Sequence, residues 1–222
     1  MILSKEIYKR FLLSFNKNDS NAGTNIPISH FVLTFNSERL RWLNDFFDKD
    51  DWRLQQIDNL LVVDKNIGKV GDLKDSVSFK LPDDFFRHAF SYSIADRGSC
   101  VGQKIYNFEK KSLGFNSLLL DDFNKPQFDY RETPFIISQN KMNIYFDDFK
   151  IKKVFLSYYK TPDAIDIAGY FKIDGTQSED IVTDLTLKQV DDIIERVVKK
   201  MSGQVLDTER FQIATERLNT EK

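Results

Sequence analysis

Few residues in this 222-residue chain have a type and spacing suited to chemistry. There are two histidines, His30 in ISHFVLTF and His88 in FFRHAF, both set among aromatic residues and without a neighbouring carboxylate. A general base needs a second group to hold its ring, so both read as packing residues. Cys100 in GSCVG is the single cysteine, which excludes an internal disulfide. No nucleophile signature surrounds it, and a buried, inert thiol is the expectation. Carboxylates come in adjacent pairs: Asp83-Asp84, Asp121-Asp122, Asp147-Asp148 and Asp191-Asp192, with Asp48, Asp50 and Asp51 close together. Such pairs can bind Mg²⁺ or Ca²⁺, and a metal-dependent nuclease is the activity they would suggest. The Asp-x-Asp-x-Asp-Gly loop is missing, however, and turn or cap duty accounts for their places beside strands and on a helix. The sequence also lacks a glycine-rich phosphate loop, a nucleophile elbow, HExxH and paired CxxC. The expectation is a protein that is not an enzyme, with no cofactor and no metal.

Binding chemistry is equally sparse. Lysine and aromatic residues mix in KIYNFEKK and KVFLSYYK, and strand alternation is read as sending them to opposite faces, core and solvent, rather than building a stacking platform for nucleic acid. A balance of 32 basic against 34 acidic residues gives no basic footprint for duplex DNA. Twenty phenylalanines point to aromatic-rich packing that leans towards strands. The opening MILSKEIYKRFLLSF breaks its apolar residues with Lys5, Glu6, Lys9 and Arg10, unlike an export signal or a membrane span.

The elements that must carry these residues fall into three parts. In residues 1–63, Ser4 can cap a helix with Leu3, Ile7, Phe11 and Phe15 on one stripe, and NKNDSNAGTN reads as a loop. Ser37 can then cap a helix presenting Leu40, Leu43, Phe46 and Phe47, and a further run sets Trp52, Ile57, Leu60 and Leu61 at helical spacing. Residues 64–183 alternate short apolar runs with turn signals such as KNIGKVGD and KIDGT, predicting an antiparallel sandwich or barrel. In residues 184–222, TLKQVDDIIERVVKKM has a capping box at Thr186 and Gln189 and an apolar stripe from Leu187 to Met201. The tail beyond Gly203 reads as an arm. The predicted fold is α+β: a helical bundle from both ends of the chain, with an inserted antiparallel β region.

Three segments in order, FKLPDDFF, MNIYFDDFKIKKVFLSYYKTPDAI and DLTLKQVDDIIERVVKKM, resemble the ring or adaptor proteins at the head-to-tail junction of crAss-like and other short-tailed phages. In that family a Leu-Pro-Asp segment leads into a strand, a later strand ends in Tyr-x-Lys/Arg-x-Pro, and a helix of fixed apolar spacing closes the domain. Here these fall on Leu81-Pro82-Asp83, on Tyr158 through Pro162, and on Leu187 through Val198, with Val197 and Val198 where relatives often carry alanine. Pro82 and Pro162 are then structural turn residues: a proline cannot donate a ladder hydrogen bond, so Pro162 ends its strand.

The resemblance implies a virion structural protein, assembled in the host cytoplasm. It would form a homo-oligomeric ring, a dodecamer, that docks to the portal protein, meets neighbouring ring and tail proteins, and passes DNA without sequence-specific binding or membrane contact. Arg210, Phe211, Ala214 and Leu218 on the arm are the expected portal or ring contacts. Each copy of a closed ring must carry two different complementary surfaces. One is expected on the amino-terminal helices and one on the β region. The alternative is a carbohydrate- or receptor-binding β domain of a virion or surface protein, with Trp42, Trp52 or Tyr159 as the stacking residue.

Overall fold

Thr186 and Gln189 form the capping box that their spacing predicts. The Thr186 backbone N–H donates to Gln189 Oε1 at 2.8 Å, and the Gln189 N–H donates to Thr186 Oγ1 at 3.4 Å. They open the last helix of a computed structural model that describes residues 2–16, 26–47, 51–110 and 125–204. The chain forms two units: Leu61–Thr161, and the residues on either side of it, up to Leu60 and from Pro162 onward. The architecture is α+β, with helices from the two ends of the chain packed together and a curled eight-stranded half-barrel sheet inserted between them in sequence.

In the helical unit, α1 (Ser4–Phe15) and α2 (Ile28–Phe47) both pack against α3 (Leu187–Gln204). The α1 stripe of Ile7, Phe11 and Phe15 is buried, and Phe31 of α2 lies 4.6 Å from Phe11 and 5.2 Å from Tyr8 between ring centroids. From α3, Val190, Ile193, Ile194, Val197, Val198 and Met201 are all buried. A 3₁₀ helix, Asp51–Leu60, buries Ile57 and Leu60. Ser4 does not cap α1. The short strand β1 (Ile2–Leu3) pairs with β10 (Val182–Thr183), and Ser4 Oγ accepts the Ile181 N–H at 3.0 Å instead. Nor does α2 begin at Ser37: it starts just after Pro27, where a fixed φ favours helix entry, and Phe31 and Phe35 extend its buried stripe. Ser37 is an exposed mid-helix residue. Residues 162–183, grouped with the strands on sequence, belong to this unit. Asn36 of α2 clips them, accepting the Ile165 N–H and donating to the Ile165 carbonyl, both at 2.9 Å.

The β unit contains β2 (Leu61–Ile67), β3 (Lys69–Asp72), β4 (Ser76–Lys80), β5 (Phe85–Arg97), β6 (Cys100–Glu109), β7 (Glu132–Ser138), β8 (Lys141–Tyr145) and β9 (Lys150–Lys160). Their spatial order is β2-β9-β5-β6-β7-β8-β4-β3. Every neighbouring pair is antiparallel except β6 and β7, which are parallel, a pairing that needs a long connection in sequence. Irregularities in the β5–β9 ladder after Phe85, His88 and Ile94 bend these two long strands, as bulges do. The buried face holds Val77, Phe79, Ile105, Phe135, Val154 and Leu156 among others. Gln139 and Asn140, with φ of 50° and 58°, make the two-residue turn from β7 to β8, a left-handed pair that favours asparagine.

Candidate functional site

Two of the three segments that carry the family resemblance meet at Asp84. Pro82 opens a turn in which its carbonyl accepts the Phe85 N–H at 3.0 Å, delivering the chain from β4 to β5. The Asp84 carbonyl then accepts the Thr161 N–H at 2.7 Å, and the Asp84 carboxylate accepts the Tyr158 hydroxyl at 2.8 Å. Lys65 Nζ donates to the same Tyr158 oxygen at 3.2 Å and lies 4.0 Å from Asp84. Burial first, and then the bond to Asp84, push the Tyr158 hydroxyl far above its usual ionisation range, so it stays a neutral donor. The Thr161 N–H is the last that this strand end can donate, because Pro162 follows with none. Pro162 is itself buried, and its carbonyl accepts from Arg39 Nη1 at 2.5 Å. Burial lowers the Arg39 pKa against the opposing pull of Asp184 and Asp163, yet a guanidinium remains charged. This junction is a lock on backbone direction: it fixes a tyrosine, a carboxylate and a lysine without exposing a nucleophile.

Among the described residues, an arrangement with catalytic geometry surrounds His88. Its Nε2 is 2.9 Å from Ser91 Oγ and its Nδ1 is 3.8 Å from Glu109 Oε2, the relation of base, hydroxyl and orienting acid. Ser91, however, is fully buried and also accepts from Asn107 Nδ2 at 3.4 Å, while Ser93 donates to Asn107 at 2.7 Å. No substrate carbonyl reaches a hydroxyl packed in that way. Burial pulls the His88 pKa down to about 4, so the ring is neutral at pH 7 and serves as a satisfied polar link inside the sheet.

The remaining candidates are placed as follows. His30 is exposed on α2. Cys100 is exposed, contrary to the buried thiol expected, because Gly98 and Ser99 turn the chain at the sheet end and Cys100 is the first residue after them. Asp83 pairs with Lys80 at 3.0 Å, Asp148 with Arg97 at 3.0 Å, and Asp191 approaches Arg10 at 3.7 Å. Asp48, Asp50, Asp121 and Asp122 lie outside the described residues, as do Arg210, Phe211, Ala214 and Leu218 of the arm. Among the described residues no three His, Cys, Asp or Glu side chains gather in a way that would hold a metal. Trp42 and Tyr159 are buried, so neither offers a face to a glycan.

Parity along β6 corrects the reading of KIYNFEKK. Lys104, Tyr106, Phe108 and Lys110 are all separated by even steps and share a face. The same holds for Lys153 and Phe155 of β9. Across the ladder, Tyr106 pairs with Tyr92 and Tyr92 with Phe155, whose rings stack at 5.0 Å. Phe90 lies 5.7 Å from Tyr106, and Lys104 Nζ sits 3.6 Å from the Tyr92 ring centroid. Phe90 and Tyr106 are 43% and 46% exposed. The face opposite the core is therefore aromatic and cationic together.

The helical unit has its own exposed apolar residues. Residues 170–178 form a hairpin closed by the Phe171–Gln177 bridge, with Phe171 and Ile173 fully or largely exposed at its end. Its base is fixed by Asp166, which accepts from Tyr170 Oη and Lys172 Nζ, both at 2.8 Å. Burial would raise the Asp166 pKa, and these partners outweigh it and hold the carboxyl below its ordinary value. The Tyr170 hydroxyl is pushed up to about 12. Hairpin residues 170–174 and Ser29 and Leu33 of α2 line an open apolar hollow.

No protein-family model matches the chain, and no curated protein matches it in sequence.

Proposed function

We propose that this chain is a virion structural protein forming a homo-oligomeric ring at a phage head-to-tail junction, where it docks to the portal, extends the DNA channel and presents a platform to further tail proteins. The observation that carries the reading is the convergence of FKLPDDFF and SYYKTP at Asp84, because these are two of the segments on which the resemblance rests. A motif used for recognition chemistry would leave its polar groups open. These are spent on holding one strand end against the next, as a load-transmitting subunit requires. The packing of α3 with the amino-terminal helices agrees with a closing helix in the same architecture. Exposed Leu13, Leu33, Phe171 and Ile173 in the helical unit, and Val70 and Leu73 in the β unit, supply the two kinds of apolar surface that a head-to-tail ring contact needs.

The arm beyond Gly203 is assigned to portal docking in this reading. Deleting residues 204–222 should leave a folded monomer that no longer joins the portal. Normal incorporation of such a truncation into particles would remove the arm from the proposal.

A further inference from the structure

We infer that the outer face of β5, β6 and β9 is a binding site for single-stranded nucleic acid, a reading that stands independently of the ring assignment. The site has two adjacent rows. In one, Tyr106, Tyr92 and Phe155 lie side by side across three strands, with Phe90 against both tyrosines at 5.7 and 6.2 Å. In the other, two residues further along the strands, Lys104 and Lys153 flank Ile94. That step is about 7 Å. The rings differ in what they can accept. Tyr92 is occupied, stacked on Phe155 on one side and approached by Lys104 Nζ at 3.6 Å. Phe90 and Tyr106, nearly half exposed, keep π faces open to a ligand.

Tyr92 thus holds the Lys104 ammonium in place by a cation–π contact, and Lys104 also lies 5.6 Å from the Tyr106 ring. A base stacked on Tyr106 or Phe90 leaves its phosphate beside the lysine row. Stacking plus a cationic track is how sequence-tolerant single-strand binding works. Three carboxylates border the face: Glu132 beside Tyr106, Asp64, which accepts from Ser157 next to Phe90 at 3.4 Å, and Asp96, two residues past Ile94. Asp96 is already engaged, accepting the Gly102 N–H at 2.8 Å with Lys152 3.7 Å away. The cationic row favours an anionic ligand over a neutral glycan. A duplex keeps its bases stacked on one another and would meet the lysines without the rings, so the site discriminates single from double strands.

The test is fluorescence anisotropy of the full chain with a fluorescein-labelled fifteen-nucleotide oligothymidylate and, separately, a labelled DNA hairpin duplex. The single strand should bind at least tenfold more tightly than the duplex. Phe90→Leu and Tyr106→Leu keep the apolar bulk and should each weaken it about fivefold or more. Two phosphate contacts predict a slope near −1.4 in log K against log salt, and Lys104→Gln or Lys153→Gln should each reduce its size by about 0.7. Equal affinity for the two probes, indifference to both leucine variants in chains that keep the wild-type circular dichroism, or no binding at millimolar protein would each overturn the assignment. The last outcome would return the face to a protein partner.

Discussion

Lowering the pH from 7 to 5 should destabilise the β unit through His88, and the size of the effect follows from its surroundings. The ring packs 4.8 Å from Phe135, bonds to a fully buried serine, and is 11% exposed. Unfolded, a histidine takes a proton near pH 6.5; folded, His88 does so only near 4. Between those values the unfolded chain binds more protons, so stability present above pH 6.5 is lost as the pH falls towards 4. The loss is about 2 kcal/mol by pH 5 and about 3 kcal/mol when complete. Glu109, half exposed and 3.8 Å away, would trim these figures by favouring the charged ring. The assay is urea unfolding by far-ultraviolet circular dichroism at pH 7 and pH 5, on the wild type and on His88→Gln, whose amide can still bond to Ser91. Carboxylates titrate alike in both chains, so the wild type should lose about 2 kcal/mol more. The imidazole proton resonance missing from the variant should titrate near pH 4. A midpoint near 6.5, or equal losses in the two chains, would refute the reasoning.

Four further substitutions test the locks. Asn36→Ala removes both bonds to the Ile165 backbone and should cost about 2 kcal/mol in thermal unfolding; a loss below about 0.5 kcal/mol would mean the clip is idle. Thr186→Ala should cost about 1 kcal/mol, an ordinary cap loss. Gln189→Leu should cost about 2–3 kcal/mol, because Gln189 Nε2 also donates to the Gln56 carbonyl and to Asn59 Oδ1, both at 2.7 Å; urea midpoints in the reverse order would contradict this network. Tyr158→Phe should cost about 1–2 kcal/mol by urea unfolding, since it leaves Asp84 and Lys65 without the phenol between them, and an unchanged midpoint would remove Tyr158 from the lock.

How much of this was legible in the sequence depended on whether the partner was local. The capping box of α3 and its apolar stripe from Val190 to Met201 could be read because both are short-range patterns, whereas Leu187 is exposed and the helix runs through Gly203 to Gln204. Ser4 could not be read in this way, since its partner Ile181 becomes its neighbour only through strand pairing at the far end of the chain. Ser37 looked like a cap because cap residues are defined by type, while Pro27 and the Phe31–Phe35 spacing, the signals of the earlier start, were there to be weighed. The His88 cluster depended on the register of β5 against β6, which puts Ser91 and Ser93 over Asn107, and no composition rule reveals register. The aromatic and cationic face was legible by parity alone: Lys104, Tyr106 and Phe108 are separated by even steps. Cys100 was misjudged because free cysteines are usually buried, whereas its position beside Gly98-Ser99 puts it at a hairpin end.

The most direct test of the ring assignment is native mass spectrometry of the purified chain, alone and mixed with the portal oligomer from the same source. The account predicts a defined multiple of the 26.0 kDa chain added to the portal, with twelve copies for a dodecameric ring. A chain that stays monomeric and leaves the portal mass unchanged at every concentration would contradict it.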